Sequence, residues 1–462
     1  VGSTTSKIAV IAALSTLWPT IASPQQGGAG TGGLQVDLGV DTSVKYDDNF
    51  DLTPGTSPGD SYISDTKLTF GLTSSNSAYD FGLNATGVLR FADLPTGSQT
   101  GFEDPTVRFN FTADSVDSRL SLTGRYRNVD RDFIDPFQIE QEEQQFGALV
   151  GDGGTLVQTT LGLKYQFGLT APLGFDIDLR HDDSDYRNVV NPQLIPARTD
   201  SIRGTVNLRF SQVATGRVFA GVRYYEAEDA VQTDRTTQDF GIGVSYDINP
   251  VLKLDADIGQ TNVETERTTG ITETDGLSGA VTLTKDVTNG TVFGTVDSII
   301  DQNGQRTSLT FGRDLNLPNG SLRGVLGVTD GDTGGGSWIG KLRYDHKLRS
   351  SSVTLSLDRG VSTNSLDQSI VDTRLALSYN YDINNNSRIR LGIDYGRRED
   401  LGTTGAPTVE LTNFRASYSH DVTQDWAMTG GLVLRSRKET GLQDAESTAV
   451  FLSLDRTFSF RP

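Results

Sequence analysis

The sequence predicts an all-β fold: a transmembrane antiparallel up-and-down β-barrel of about 22 strands (20–22) with no N-terminal plug. Three observations predict it. Apolar and polar residues alternate over runs of roughly 8 to 12 residues, the period of a strand with two unlike faces. Short turns take turns with longer connections along most of the chain. No window holds the roughly 20 uninterrupted apolar residues that a membrane-crossing helix needs.

Composition agrees with these patterns. The chain has 462 residues, of which 35% are apolar, and carries 51 Gly, no Cys and a net charge of −19. A soluble chain of this length divides into domains with separate cores, and no such division is visible. A barrel needs only every second residue to be apolar, because its neighbour faces a wet lumen. The negative charge argues against nucleic acid as a partner. Without Cys there is no disulfide, thiolate chemistry or Cys-based metal site, which suits passage through an oxidising periplasm.

At the start, Lys7 precedes the apolar run Ile8–Leu17, and small residues around Ala22 and Ser23 lead into Pro24. That is the layout of a secretory signal. The expected organisation is a signal peptide over 1–23, a short periplasmic Gly/Gln-rich segment over 24–33 and an outer-membrane barrel over 34–462. A TonB-dependent transporter of similar strand number would place a plug of well over a hundred residues ahead of its barrel. Only about ten residues stand there, which is the basis for expecting none.

Strand patterns then run to the end. Leu34, Val36, Leu38 and Val40 alternate with Gln35, Asp37, Gly39 and Asp41. Ile202, Val206, Leu208 and Phe210 alternate with Arg203, Thr205, Asn207 and Arg209. Short turns fall near 75–77, 115–117, 171–174, 213–216, 248–250, 287–290, 315–320, 348–351, 383–386 and 422–425. Longer loops fall near 47–61, 92–105, 129–157, 182–200, 226–237, 262–276, 300–306, 329–337, 359–371, 397–409 and 437–447. Ten turns and eleven loops make about 22 strands with both ends periplasmic. The patterns over 292–300 and 306–313 are the weakest. Repeats such as Tyr246–Asn249, Tyr381–Asn384 and His420–Thr423 precede short turns, which Asp, Asn and Thr close by bonding their own backbone.

Aromatic residues gather at strand ends, as membrane girdles do. Tyr46, Phe91, Tyr126, Tyr224 and Tyr395 form one candidate girdle; Tyr165, Tyr246, Tyr344, Tyr381, Tyr418 and Trp426 form the other. The last strand ends in Phe458 and Phe460, the form of an insertion signal read by the barrel-assembly machinery, although Arg461 and Pro462 follow it.

Nothing reads as an active site, and no cofactor or metal is implied. His346 and His420 stand where Tyr occupies other repeats, and His181 adjoins Asp182 and Asp183 at a loop entrance. The longest loop contains Asp130, Arg131, Asp132, Glu140, Glu142 and Glu143. It either folds into the lumen as a constriction or stays a solvated surface loop. The acidic groups Asp47–Asp48, Asp182–Asp185 and Glu226–Asp229 are assigned to the external rim, among lipid and lipopolysaccharide. Alternation places Arg119, Arg125, Arg127, Arg203, Arg209, Lys341, Arg343, Arg388 and Arg390 inward, with Asp176, Asp178, Asp255, Asp257 and Asp394. Such charges are costly in lipid and tolerated in water. The inward Arg either guide anionic solutes or pair with Asp to brace the wall.

The segment Val44–Phe50, followed by Leu52–Pro54, resembles the opening hairpin of a family of outer-membrane β-barrel porins that accompany exopolysaccharide gene clusters. The resemblance covers one hairpin. It implies an outer-membrane location and a part in polysaccharide export, and carries over no catalytic residue. The sequence is thus read as a channel for polar solutes or an acidic exopolysaccharide; the alternative is a structural or adhesive surface protein whose loops close its lumen.

Overall fold

The computed structural model describes residues 33–133, 153–189, 194–363, 367–401 and 408–461. The expected signal peptide, nearly all of the segment that follows it, and Glu140, Glu142 and Glu143 lie outside the described residues.

The described chain forms 22 antiparallel strands. The first seven are β1 (Leu34–Asp47), β2 (Ser61–Ser75), β3 (Tyr79–Leu94), β4 (Gly97–Asp114), β5 (Ser118–Asp130), β6 (Thr155–Phe167) and β7 (Leu173–Arg187). Next come β8 (Ala197–Arg209), β9 (Ala214–Ala227), β10 (Thr233–Asn249), β11 (Leu252–Arg267), β12 (Gly270–Val287), β13 (Gly290–Asp301) and β14 (Gly304–Leu317). The remainder are β15 (Gly320–Gly331), β16 (Ser337–Lys347), β17 (Ser351–Thr363), β18 (Ser369–Asn384), β19 (Ser387–Asp400), β20 (Val409–Asp421), β21 (Trp426–Glu439) and β22 (Ala445–Phe460). Each pairs with its chain neighbours, and β1 pairs with β22 from Val36↔Phe460 to Asp47↔Ala449, so the sheet closes on itself. Closure removes every open edge, a condition for crossing lipid as β-structure.

Register follows from alternation, because a slip of one residue would turn each strand inside out. Leu38 lies beside Phe70 and Phe458, and all three face outward. Along β10 and β11, Phe240, Ile242 and Ile258 face outward and are largely exposed, whereas Asp239, Asp255 and Asp257 face inward. An apolar belt of this extent is tolerated only against lipid.

Two expectations are corrected here. The regions 92–105 and 262–276, read as external loops, are mostly strand: β3 meets β4 across residues 95–96, and β11 meets β12 across 268–269. A membrane-spanning strand needs about 9–11 residues, and β4 and β12 each have 18. Their outer halves stand in water on both faces, so the apolar signal fades while backbone pairing continues. The second correction concerns the plug. The described residues contain the barrel alone, and the wall's strand number and closure are set by register, not by what fills the lumen. A short stretch ahead of β1 is therefore no ground for assigning the barrel to a plug-free class.

The opposite connections are tight. At the turn between β6 and β7, Gly168 has φ 71°, and an added Cβ would lie 2.3 Å from the Leu173 carbonyl oxygen. Only Gly fits that close approach.

Candidate functional site

The site is the lumen. Register places Arg119, Arg125, Arg127, Arg203, Arg209, Lys341, Arg343, Arg388 and Arg390 on its wall. Most are engaged by neighbouring groups. Arg119 bonds Asp114 at 2.5 Å, Arg203 Asp239 at 2.6 Å, Lys341 Asp358 at 3.1 Å, Arg343 Asp345 at 2.8 Å and Arg388 Asp382 at 2.6 Å. Arg125 donates to the Gln158 side chain at 2.7 Å. Arg209 donates to the Gly168 and Ala171 carbonyls and so closes a turn instead of facing open water. Arg390 has neither a hydrogen bond nor an ion pair among the described residues. Sequence reading passed over Arg217, which reaches past β10 to Asp255 at 2.7 Å and Asp257 at 2.5 Å on β11. Its signal was present in the alternation of β9, where Arg217, Phe219 and Arg223 share one face.

The external mouth is narrowed by a segment that sequence reading placed on the rim. The 48–60 connection folds inward, not outward. Phe50 and Leu52 are only 6% and 8% exposed; Phe50 packs with Ile63 and Ala92, and Leu52 with Leu411 and Ala445. Asp47, expected at the solvated rim with Asp48, is fully buried. Its carboxylate accepts from Lys45 at 2.8 Å, Arg435 at 2.8 Å, Ser447 at 2.7 Å and the Asn49 amide at 3.2 Å. A buried charge demands such partners. Asn49 completes the fastening: its side-chain amide donates to the Thr53 and Glu446 carbonyls, and its oxygen accepts from the Thr53 backbone N–H. Arg435 also donates to the Phe50 carbonyl at 2.9 Å. Leu52 adopts φ 48°, an uncommon conformation for a branched residue, which aims its side chain into the apolar cluster.

The start of the 131–154 connection joins this constriction. Phe133 lies 4.9 Å from the Phe50 ring, centroid to centroid, and the Arg90 guanidinium sits 3.6 Å from the Phe133 ring centroid. Arg90, nearly fully buried, is held by Asp65 and Asp104. Asp130 accepts from Gln99, the Asp132 backbone N–H bonds Asp130, and Arg131 lies over the Tyr186 ring at 5.8 Å. Farther round the wall, Asp367 accepts from Arg235 at 2.9 and 3.0 Å, from Gln302 at 2.9 Å and from Arg267, tying the β17–β18 connection to β10 and β11.

On the outer face, Tyr46, Tyr126, Tyr224 and Tyr395 fall near the external strand ends, and Tyr246, Tyr344, Tyr381 and Trp426 near the opposite ends. Tyr46 meets Tyr62 at 5.4 Å. Phe458 and Phe460 face outward beside Leu38 and Val36, and Arg456 lies over the Phe458 and Trp426 rings. His346 and His420 stack on Tyr344 and Tyr418, and His181 bonds Asp200 at 2.7 Å. Among the described residues no group of three His, Asp or Glu is arranged to hold a metal.

No family model and no curated protein matches the chain. Solved structures do. The chain is similar to the FrpB iron transporter from Neisseria meningitidis at 8% identity and TM-score 0.60, over 92% of this chain and 82% of that one. It is similar to the copper transporter OprC at 11% identity and TM-score 0.55, over 93% and 81%. A variant of the ferric enterobactin receptor PfeA from Pseudomonas aeruginosa matches at 9% identity and TM-score 0.55, over 94% and 81%. These likenesses are in fold, and they overturn the contrast with transporter barrels drawn from the short leading segment. Closed wall, lipid-facing belt and wet interior together make this chain an outer-membrane β-barrel with 22 strands, of the architecture found in those transporters.

Proposed function

We propose that the protein is an outer-membrane channel for polar solutes, and that an acidic exopolysaccharide is the cargo its inward cations suit. The observation that carries this reading is the lumen wall, where guanidinium groups recur among carboxylates and hydroxyls from β5 to β19. A cylinder of 22 strands is too wide for side chains to fill, and water in it keeps those charges solvated. Anionic solutes gain charge-assisted bonds along such a wall. The channel works without cofactor or catalytic group, surrounded by outer-membrane lipid and lipopolysaccharide, and is inserted by the barrel-assembly machinery through its terminal strand. The resemblance of Val44–Pro54 to exopolysaccharide-associated porins supports the polymer as cargo.

A second reading, a structural or adhesive surface protein with a closed lumen, is favoured by the inward 48–60 connection and by Asp367 reaching β10 and β11. Planar-bilayer recording of the refolded barrel separates the two. Large steps blocked by an acidic polysaccharide fit an export or uptake conduit. Large steps that the polymer leaves unblocked reduce the cargo to general polar solutes, and a folded barrel that never conducts makes the structural reading the correct one.

A further inference from the structure

One part of the lumen is built as a pocket. On the external side, the inward faces of β5 to β10 curve around a cavity of about 550 Å³ that the β13–β14 tip, through Ile300, Asp301 and Gln302, closes from the side. That volume lies within the usual range of small-molecule sites. Four guanidinium groups reach it, from Arg125, Arg180, Arg223 and Arg235. Three are engaged: Arg125 with Gln158, Arg180 with Asp182 at 2.5 Å, and Arg235 with Asp367. Arg223 is different. It is exposed to the cavity and has no hydrogen bond or ion pair among the described residues. Asp182 and Asp367 pair with Arg180 and Arg235, and of the four guanidinium groups Arg223 is the one left open to a ligand.

The rest of the lining is neutral and rich in hydroxyls. Ser184, Thr199, Ser201 and Thr237 present donors that also accept, and the rings of Tyr186 and Tyr225 stand at the wall. Arg235 already lies 5.3 Å from the Tyr225 ring centroid. Hydroxyl-rich surroundings with one unengaged guanidinium match a ligand that is itself polyhydroxylated and carries a carboxylate. Inorganic phosphate would leave most of the cavity and nearly all of those hydroxyls unused. Asp367 demonstrates the chemistry within the structure, since Arg235 takes its carboxylate through two bonds of 2.9 and 3.0 Å.

We propose that this chamber is a binding subsite for a carboxylated saccharide, with Arg223 receiving the carboxylate and the surrounding hydroxyls receiving the sugar. The proposal rests on the channel reading and adds to it a place and a ligand class.

The test records single-channel current through the refolded full barrel while short uronic-acid oligosaccharides, and neutral oligosaccharides of equal length, are added from the external side. Wild type is expected to show block by the acidic series at concentrations where the neutral series has little effect. Arg223→Gln should weaken acidic block by about tenfold or more, the size of one charge-assisted bond, and leave neutral block unchanged. Arg223→Lys should recover part of it, and Arg349→Gln, in the exposed turn between β16 and β17, should match wild type. Acidic block that is equal in wild type and Arg223→Gln overturns the proposal while leaving the channel intact. A barrel that never conducts overturns the channel reading instead. In that event calorimetric titration of the same oligosaccharides onto the detergent-refolded barrel decides the chamber, with binding by wild type but not Arg223→Gln supporting it and no binding refuting it.

Discussion

Asp47 and Arg435 lie 388 positions apart in the chain, yet their side chains meet at 2.8 Å where the first strand closes against the last two. Removing one partner of a buried pair leaves the other uncompensated, which typically costs about 3–5 kcal/mol. Arg435→Ala is therefore expected to lower stability by roughly that amount, measured by urea unfolding of the refolded barrel in detergent; an unchanged midpoint would remove the clamp from the account. A milder case is Asp117, in the turn between β4 and β5 and outside the membrane. Hydrogen bonds from the Thr170 backbone N–H at 2.9 Å and hydroxyl at 2.8 Å hold its carboxyl below the usual Asp range. The lowered value means that this link between turns is complete above the ordinary Asp pKa and is lost as pH falls through the lowered one. The Thr170 amide resonance should titrate with that depressed midpoint and should cease to titrate in Asp117→Asn.

Among elements, the 48–60 connection departs furthest from what its composition suggests. Its Asp, Ser, Gly and Pro content reads as a solvated loop, but Phe50 and Leu52 interrupt it, and each finds an apolar patch on the inward wall. Residues that carry the family resemblance, Lys45, Asp47, Asn49 and Phe50, are the ones that fasten this constriction. Phe50→Ala removes the ring packed against Phe133, Ile63 and Ala92 and should loosen the docked segment by about 3 kcal/mol, as Phe truncations in packed sites do. The readout is conductance: larger steps are expected than in wild type, and identical steps would mean that the limiting width lies elsewhere. The terminal strand offers a second case. Deleting residues 458–462 removes the Phe458 and Phe460 pairings and leaves the start of β1 as an open edge at the seam. Such a chain is expected to lose the heat-modifiable electrophoretic migration of a closed barrel, whereas retention of that migration would show that the seam closes without them.

For the whole molecule, period-2 alternation and turn chemistry determined what sits on each face and roughly how many strands there are, because lipid and lumen water sort side chains locally, residue by residue. All ten short turns were readable within a few residues, since Asp, Asn, Gly and Pro act through their own backbone. Tertiary structure decided the rest. Strand ends above the membrane were invisible in the alternation, as water on both faces leaves no apolar signal. Whether an inward Arg braces the wall, as Arg203 does with Asp239, or stands open, as Arg223 does, depends on residues facing it from strands one or two away. The inward course of the first connection depends on β20, β21 and β22, which only closure brings beside it. Local chemistry can be read along a chain, but contacts made by closing a sheet of 22 strands exist only once the last strand meets the first.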